Sequence, residues 1–328
     1  MLALTGALLT ACGGSQTAGG SAVEATTAVD GADALHVGVV LAGPRNDGAF
    51  YQSYLDGVQA LAEEDGLVVS VVDNVEDPQA AIDAFTNLAA DNDLVIAGGS
   101  SLVTAGNTVA PQFPDVEFVM SGVVTPGVAN LHTYATKQGS PAYVAGVLAA
   151  EMTTSGTIGY VGGTDIPPNS QSSIDFAAGA QSVDPAITVA DTTVGSLSDA
   201  AKAKEATAAQ IANGVDVVYA FQDAGLPGVL DAVTDSGEDV KVFNPTTDRC
   251  AESPQLVGYA YQNTSVMVEQ IVTDFVAGSL PTEPKFYALE DPDIQALRLC
   301  ENSAQHQDLV TSTTDALNSG ATTLPEGG

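Results

Sequence analysis

The sequence has few basic residues. Its 328 residues include 8 Lys and Arg against 41 Asp and Glu, which gives a net charge of −33. Because nucleic acids are bound by basic surfaces, this balance excludes nucleic acid as a general partner, and it disfavours anionic lipid for the same reason. The acidic residues recur along the whole chain, as they do on salt-adapted proteins, where dissolved salt screens the repulsion. An ordinary acidic secreted protein is the alternative.

Tryptophan is absent, and aromatic residues make up 5% of the chain, so an aromatic ring beside a cleft would stand out as a ligand contact. The common catalytic and cofactor motifs are also missing: there is no P-loop, dinucleotide-binding glycine pattern, nucleophile elbow or metalloprotease motif. The histidines His36, His132 and His306 lie far apart and begin predicted strands or a helix, so we interpret them as structural. These absences predict binding without turnover, with no cofactor and no metal.

Of the three cysteines, the first follows a short apolar run over residues 2–11. A membrane span needs ~20 apolar residues, but this run fits the core of a secretion signal. Leu9-Thr10-Ala11-Cys12 resembles the bacterial lipobox, in which the cysteine is lipidated and becomes the mature N-terminus. We therefore expect a signal peptide over 1–11, a lipid anchor on Cys12 outside the cell membrane, and a flexible tether over 12–34. A chance cysteine behind an apolar leader is the alternative.

The other two cysteines, Cys250 and Cys300, form a pair in a chain expected to be exported, where disulfides persist. A bridge would close a loop of about 50 residues and stabilise the fold by up to ~4 kcal/mol in the chain-entropy model. Two buried thiols are the alternative, which the spacing does not exclude.

From residue 36 onward, short apolar strands alternate with helices. HVGVVLA at 36–42 is a β-branched run, and residues 49–66 have apolar residues at helical spacing before a final glycine. A second series of the same kind begins at residue 139. Such alternation predicts an α/β fold of two lobes, each a doubly wound parallel sheet. Since ligands of these sheets bind beyond the carboxyl ends of the strands, the pattern predicts a cleft between two lobes that close by a hinge.

Three segments carry a more specific resemblance: GPRNDGAF at 43–50, TKQGSPAYVAGVLAAEMTTSGTIGYVGGTDIPP at 136–168, and NPTTD at 244–248. They are similar to the BMP family of substrate-binding lipoproteins, which includes purine-nucleoside receptors of ABC importers. The resemblance covers roughly residues 35–290. It implies a type I periplasmic-binding-protein fold, with lobe 1 over 35–137 plus 263–284, lobe 2 over 138–262 plus 285–320, and a tail over 321–328.

The resemblance also implies site residues. Family members stack an aromatic ring on the ligand after the first strand, and Phe50 occupies that position, with a core contact as its alternative role. In the same loop, Asp47 could accept a hydrogen bond from the ligand or cap the following helix. We expect further cleft residues at the other strand ends: Ser100, Ser101, Gln138, Asp165, Phe221, Asp223 and Asp248. Capping is the alternative for each aspartate.

Three places depart from the family pattern. The chain has Ala42-Gly43 where nucleoside-binding members have Thr-Asp, Leu197 where many have phenylalanine, and Gln262 where many have lysine. These departures bear on the identity of the ligand, while the resemblance as a whole remains.

The sequence hypothesis is therefore a monomeric, lipid-anchored extracytoplasmic receptor. It would capture a small solute, preferentially a nucleoside or nucleobase, and deliver it to ABC permease and ATPase subunits. One alternative is a ligand sensor that acts through a membrane signalling partner. The other is an exported nucleoside hydrolase, for which the aspartate-rich loops give faint support.

Overall fold

A computed structural model of the chain describes residues 24–26, 34–75, 77–122 and 127–325; Cys12 and the expected signal peptide lie outside these ranges. The described strands are β1 Glu24–Thr26, β2 His36–Leu41, β3 Val68–Val72, β4 Leu94–Gly98, β5 Glu117–Met120, β6 Leu131–Thr136, β7 Thr157–Gly162, β8 Thr188–Thr193, β9 Val217–Phe221, β10 Lys241–Thr246, β11 Leu256–Gln262, β12 Lys285–Tyr287 and β13 Gln295–Leu299. The described helices are α1 Phe50–Asp65, α2 Pro78–Ala89, α3 Val103–Val109, α4 Gly139–Met152, α5 Pro167–Val183, α6 Ala200–Ala212, α7 Leu226–Ser236, α8 Thr264–Val276 and α9 Gln307–Asn318.

The strands form two sheets, one in each lobe. The first has the order β1-β3-β2-β4-β5-β6-β12 and the second the order β13-β11-β10-β9-β7-β8. Neighbouring strands are parallel except for the edge pairs β1–β3 and β11–β13. The predicted pair of doubly wound, parallel-dominated lobes is thus confirmed.

Helices cover both faces of each sheet and create two core layers per lobe. In the first lobe, α1 and α8 pack on one face and α2 and α3 on the other. In the second, α4, α5 and α9 lie on one face and α6 and α7 on the other. Because they are covered on both sides, central strands such as β4 and β9 are apolar and buried along their whole length.

Helices α4 and α5 approach each other unusually closely. A Cβ atom on Gly146 would lie 2.0 Å from the carbonyl oxygen of Phe176, and one on Gly179 would lie 2.1 Å from that of Tyr143. The two glycines therefore allow backbone-to-backbone contact between α5 and α4, the helix that directly follows the first crossing segment.

Three details differ from the sequence expectations. Strand β1 lies in the expected tether and pairs with β3, whose outer edge otherwise offers unpaired backbone groups. Strand β12 pairs with β6, so the first sheet extends past the lobe boundary expected at 284; the bond from Lys285 Nζ to Asp274 on α8, at 3.1 Å, holds this segment on the first lobe. Strand β13 is absent from the sequence expectations; it pairs antiparallel with β11.

Three chain segments cross between the lobes, after β6, β11 and β12. They are tied to one another by backbone bonds: Lys137 N–H donates to Tyr287 O at 2.8 Å, and Asn263 N–H donates to Ile294 O at 2.8 Å. Among the described helices, none combines the length and the apolarity needed to cross a bilayer.

Candidate functional site: the cleft between the lobes

A cavity of about 460 Å³ lies between the lobes. Its wall is built from the segments that follow β2, β4, β5 and β6 in the first lobe and β7 to β11 in the second. The cavity therefore lies beyond the carboxyl ends of both sheets, where α/β folds bind their ligands. Its volume falls in the range of ~300–1,000 Å³ that is typical of small-molecule sites.

The first-lobe wall is aromatic. Phe50 begins α1, and its ring lies edge-on to those of Tyr51 and Tyr54, with ring centres 5.2 Å apart in both pairs. All three residues line the cavity, and Phe50 also packs against the lobe core. Its position is therefore compatible with either role considered for it. Gly43 makes this arrangement possible, because a Cβ there would lie 2.2 Å from the Tyr51 ring.

Asp47 caps helix α1 as well as lining the cavity. Its Oδ1 accepts from the amides of Ala49 and Gln52, both at 3.0 Å, and its Oδ2 accepts from the amide of Tyr51 at 3.2 Å. Three backbone donors at the start of α1 thus satisfy this carboxylate. The capping role suggested by the sequence accounts for Asp47 without a ligand.

Asp223, in the loop after β9, differs from Asp47 in its hydrogen bonding. It lines the cavity, and none of the described residues donates a hydrogen bond to its carboxylate. Burial raises the pKa of this carboxyl to about 7; the negative charge of Asp47 also raises it, while Arg249 opposes the shift. The Arg249 guanidinium is engaged elsewhere, with two bonds of 2.7 Å to Glu252 and one of 3.0 Å to the backbone oxygen of Asp223. Asp223 is therefore an open acceptor in the wall.

A chain of amides joins the crossing segments at one end of the cavity. Gln138 Nε2 donates to Gln262 Oε1 at 3.0 Å, and Gln262 Nε2 donates to Thr136 Oγ1 at 2.7 Å. All three residues line the cavity. The predicted position of Gln138 in the cleft agrees with this geometry, and Gln262 completes the contact from the opposite strand.

Ser100, Ser101 and Phe221 also line the cavity, as expected from their positions after β4 and at the end of β9. The serines begin a 3₁₀ turn that follows Gly99, whose φ of 125° is open to glycine and rare in other residues. The amide of Gly99 donates to Ser121 Oγ at 2.6 Å, which fixes the turn against the next strand.

Two of the expected residues, Asp165 and Asp248, lie outside the cavity wall. Asp165 accepts from Ser170 Oγ at 3.3 Å in the first turn of α5, and Asp248 accepts from the amide of Cys250 at 3.0 Å. The structure thus gives both aspartates local capping contacts. The end of a strand was identified correctly in each case, but neighbouring residues face the cavity instead: Thr164, Ile166 and Thr246.

Thr246 occupies a strained position in this wall. Its φ is 70°, which is an outlier for a β-branched residue, and the amide of Thr247 donates to Pro245 O at 2.9 Å across it. The buried side chain of Asn244 holds the turn, since its Nδ2 donates to Pro245 O at 2.8 Å and to Thr247 O at 3.0 Å. No sequence signal predicts such a conformation.

Several other residues line the cavity although the sequence did not predict them as cleft residues. Tyr51 and Tyr54 could have been found, because they follow Phe50 on one helix in a chain with few aromatics. The polar residues that line the cavity without having been expected there are Ser121, Thr136, Thr164, Ser196, Ser198, Thr246 and Gln262. The positions that depart from the family pattern, Ala42, Gly43, Leu197 and Gln262, all line the cavity.

The wall contains two acidic residues, Asp47 and Asp223, and among the described lining residues there is no Lys, Arg or His. The cavity therefore presents acceptors and rings, and it offers no counter-charge to an anion. In the described part of the chain, no group of three or more potential metal-ligating side chains occurs.

Cys250 and Cys300 are joined by a disulfide, with their Cα atoms 5.6 Å apart. The bridge connects the turn after β10 to the end of β13, so both of its ends lie in the second lobe, outside the cavity wall.

Comparison with known proteins identifies relatives. A purine-binding protein of Brucella abortus is 29% identical over 224 residues, which are 67% of this chain and 62% of that protein. The ABC transporter nucleoside-binding protein BmpA of Lactococcus lactis is 33% identical over 178 residues, 53% of this chain and 51% of that protein. The matched part of the chain thus spans about half to three fifths of the length of these curated relatives.

Among solved structures, an ABC transporter solute-binding protein from Aeropyrum pernix superposes with a TM-score of 0.78 at 19% identity, covering 89% of this chain and 94% of that one. This similarity supports the type I periplasmic-binding-protein fold. The family model described as Bmp, ABC transporter substrate-binding protein PnrA-like, matches residues 34–287. The chain therefore belongs to the Bmp family of PnrA-like ABC transporter substrate-binding proteins.

Proposed function

We propose that this protein is an extracytoplasmic receptor that captures a nucleoside or nucleobase between its lobes and delivers it to the permease and ATPase subunits of an ABC importer. One observation carries the proposal: the open carboxylate of Asp223 and the ring cluster around Phe50 line the same cavity. The names of the two relatives, one purine-binding and one nucleoside-binding, support the same ligand class.

The chemistry of the wall suits such a ligand. A flat heteroaromatic ring would contact the rings of Phe50, Tyr51 and Tyr54, which contributes burial and about 0.5–1.5 kcal/mol for an aromatic pair beyond it. Ring N–H groups or sugar hydroxyls would donate to Asp223. A hydrogen bond to a charged group is worth about 1.5–3 kcal/mol, or roughly ten- to a hundredfold in affinity.

Capture would proceed by closure of the lobes about the three crossing segments. The contacts among Thr136, Gln138 and Gln262 lie at this pivot and also in the cavity wall, so a bound ligand and the pivot would share the same side chains. Closure would remove water from the cavity and strengthen the polar contacts made there.

The proposal includes the lipid anchor on Cys12, on the basis of the lipobox-like sequence. Cys12→Ala should release the protein from the membrane fraction or leave it unprocessed. Membrane retention of a cleaved Cys12→Ala protein would refute the anchor, independently of ligand binding.

The ligand is tested by a thermal-shift screen of nucleosides, bases, sugars and vitamins in high salt, followed by calorimetry. Phe50→Ala and Asp223→Asn should each weaken the best nucleoside by about tenfold or more. Phe286→Ala and Asp248→Asn are matched controls from outside the cavity wall and should change affinity by less than about twofold. If the wild-type protein binds no nucleoside or base, the proposed ligand class is wrong.

The raised pKa of Asp223 adds a pH signature. Because the ionised carboxylate is the better acceptor, affinity for a donor ligand should increase as the pH rises through about 7. In Asp223→Asn this increase should disappear. Chromatography of the incubated nucleoside tests the hydrolase alternative, since a receptor returns its ligand unchanged.

A further inference from the structure

The charges in and around the cavity are strongly biased. The wall holds two carboxylates and, among the described residues, no basic side chain. The guanidinium of Arg249 is held by Glu252 and donates to the backbone oxygen of Asp223. The positive charge of Arg249 offsets the raised pKa of Asp223 only in part, so a ligand meets a wall whose own charged groups are negative.

Only one of these carboxylates is available to a ligand. Asp47 is satisfied by three amides at the start of α1, whereas Asp223 receives no hydrogen bond from any described residue. Closing the lobes over an ionised, unpaired carboxylate is unfavourable, because the charge loses water without gaining a partner. A neutral ligand reduces that cost through hydrogen bonds, and a cationic ligand reduces it further through its charge.

The aromatic residues point to the same chemistry. Phe50, Tyr51 and Tyr54 line the cavity from the first lobe, and Phe221, two residues before Asp223, lines it from the second. The faces of aromatic rings attract cations, and clusters of such rings recognise organic cations. A carboxylate beside them adds the attraction of opposite charges. Four rings with an open carboxylate are therefore suited to a flat, positively charged ligand.

The rest of the molecule strengthens this bias. All eight Lys and Arg residues lie in the described part of the chain, and each contacts a carboxylate or an aromatic ring: Arg45, Lys137, Lys202, Lys204, Lys241, Arg249, Lys285 and Arg298. The remaining acidic surplus creates a negative field that raises the local concentration of cations and speeds their arrival.

We propose that the cleft prefers a heteroaromatic ligand that carries a positive charge on its ring or on an attached amine, with Asp223 as the residue that selects the charge. The inference rests on the proposed function and narrows its ligand class from nucleosides in general to cationic, nucleoside-like compounds.

A pair of probes with one skeleton and two charges tests it. Nicotinamide riboside carries a pyridinium cation, and its dihydro form is neutral. Calorimetry at one fixed salt concentration should give at least about tenfold tighter binding of the cation, the difference expected for a charged hydrogen-bonding or ion-pair contact. Adenosine serves as a neutral nucleoside reference for the proposed function.

Two variants locate the effect. Asp223→Asn should reduce the preference for the cation to less than about threefold, whereas Asp248→Asn, outside the cavity wall, should keep it. Equal affinity of the wild-type protein for the two probes would overturn the inference while leaving the proposed function intact. A preference that survives Asp223→Asn would overturn the role of Asp223. If neither the probes nor adenosine and the other nucleosides bind, both the proposed function and this inference are wrong.

Discussion

Asp175 offers a direct test of the electrostatic reasoning, away from the ligand. This residue lies in α5 and is fully buried in the second lobe. Its Oδ2 accepts from Gln171 Nε2 at 2.9 Å, and its Oδ1 has no partner. Burial raises the pKa of this carboxyl from 3.8 to about 6, while the bond from Gln171 lowers it. The folded protein therefore holds the Asp175 proton more tightly than the unfolded chain does.

This shift has a definite sign and size. Below pH 3.8 the carboxyl is protonated in both states and costs nothing; between pH 3.8 and about 6 the unfolded chain gives up the proton first, so the fold loses stability as the pH rises, and the loss is complete once the buried group has ionised. A shift of about two pKa units corresponds to about 3 kcal/mol, most of it lost between pH 4 and pH 7. Asp175→Asn removes the ionisation, so its free energy of unfolding should gain about 2–3 kcal/mol relative to wild type between those pH values.

The comparison is designed so that other effects cancel. In Asp175→Asn, burying an amide group at the position of the unpaired Oδ1 costs some free energy of unfolding, but that cost does not depend on pH. Denaturant unfolding of wild type and Asp175→Asn should be measured at pH 4, 5.5 and 7.5 in the same salt. Asp83→Asn is the matched control, because Gln79 Nε2 donates to Asp83 at 2.9 Å across one turn of α2 in the same way, but at an exposed site.

A particular result would refute this argument. Asp175 lies beside the first turn of α4, where a Cβ on Gly139 would be 1.8 Å from its Oδ2. The positive end of that helix could hold the carboxylate in its charged form. If the stability difference between wild type and Asp175→Asn stayed within about 0.5 kcal/mol from pH 4 to 7.5, the helix terminus would outweigh the effect of burial.

Three further predictions concern stability. Replacing Cys250 and Cys300 together by serine should lower the free energy of unfolding by up to about 4 kcal/mol and leave ligand affinity unchanged; an unaltered Tm with and without reductant would contradict this. Gly146→Ala should cost about 1–3 kcal/mol in denaturant unfolding, since its Cβ would lie 2.0 Å from a carbonyl oxygen, and a loss below about 0.5 kcal/mol would mean that the helices can separate freely. The Tm should rise between ~0.1 M and ~2 M salt as the acidic residues are screened; a flat profile would favour the ordinary acidic protein.

The alternation of strands and helices could be predicted from the sequence because apolar residues recur with a helical period in the helices and form short β-branched runs in the strands. A second rule, that the residues after parallel strands meet at one edge of a sheet, placed Asp223 and Ser100 beside the cleft, and the family resemblance pointed to Phe50. Strand β13 was missed because antiparallel pairing with β11 depends on a partner that is distant in the chain.

The direction of individual side chains was harder to predict. Asp165 and Asp248 follow the expected strands, but local donors at Ser170 and Cys250 turn their carboxylates away from the cavity. Thr246 faces the cavity through a backbone conformation that its residue type disfavours, so propensity argued against its true position. Short-range hydrogen bonds and backbone conformation within the loops decide these cases, and the alternation of apolar and polar residues does not encode them.

The interleaving of the two lobes has a consequence for how the chain can fold. The core of the first lobe needs Met267 and Ile271 from α8 and Tyr287 from β12, all of which follow the main strands of the second lobe. The second lobe in turn needs β13 and α9, near the end of the described chain. A chain that emerges from its N-terminus can therefore complete neither lobe until the last quarter has appeared. A cut between the lobes should yield two fragments with open cores, so the two halves should refold together rather than one after the other.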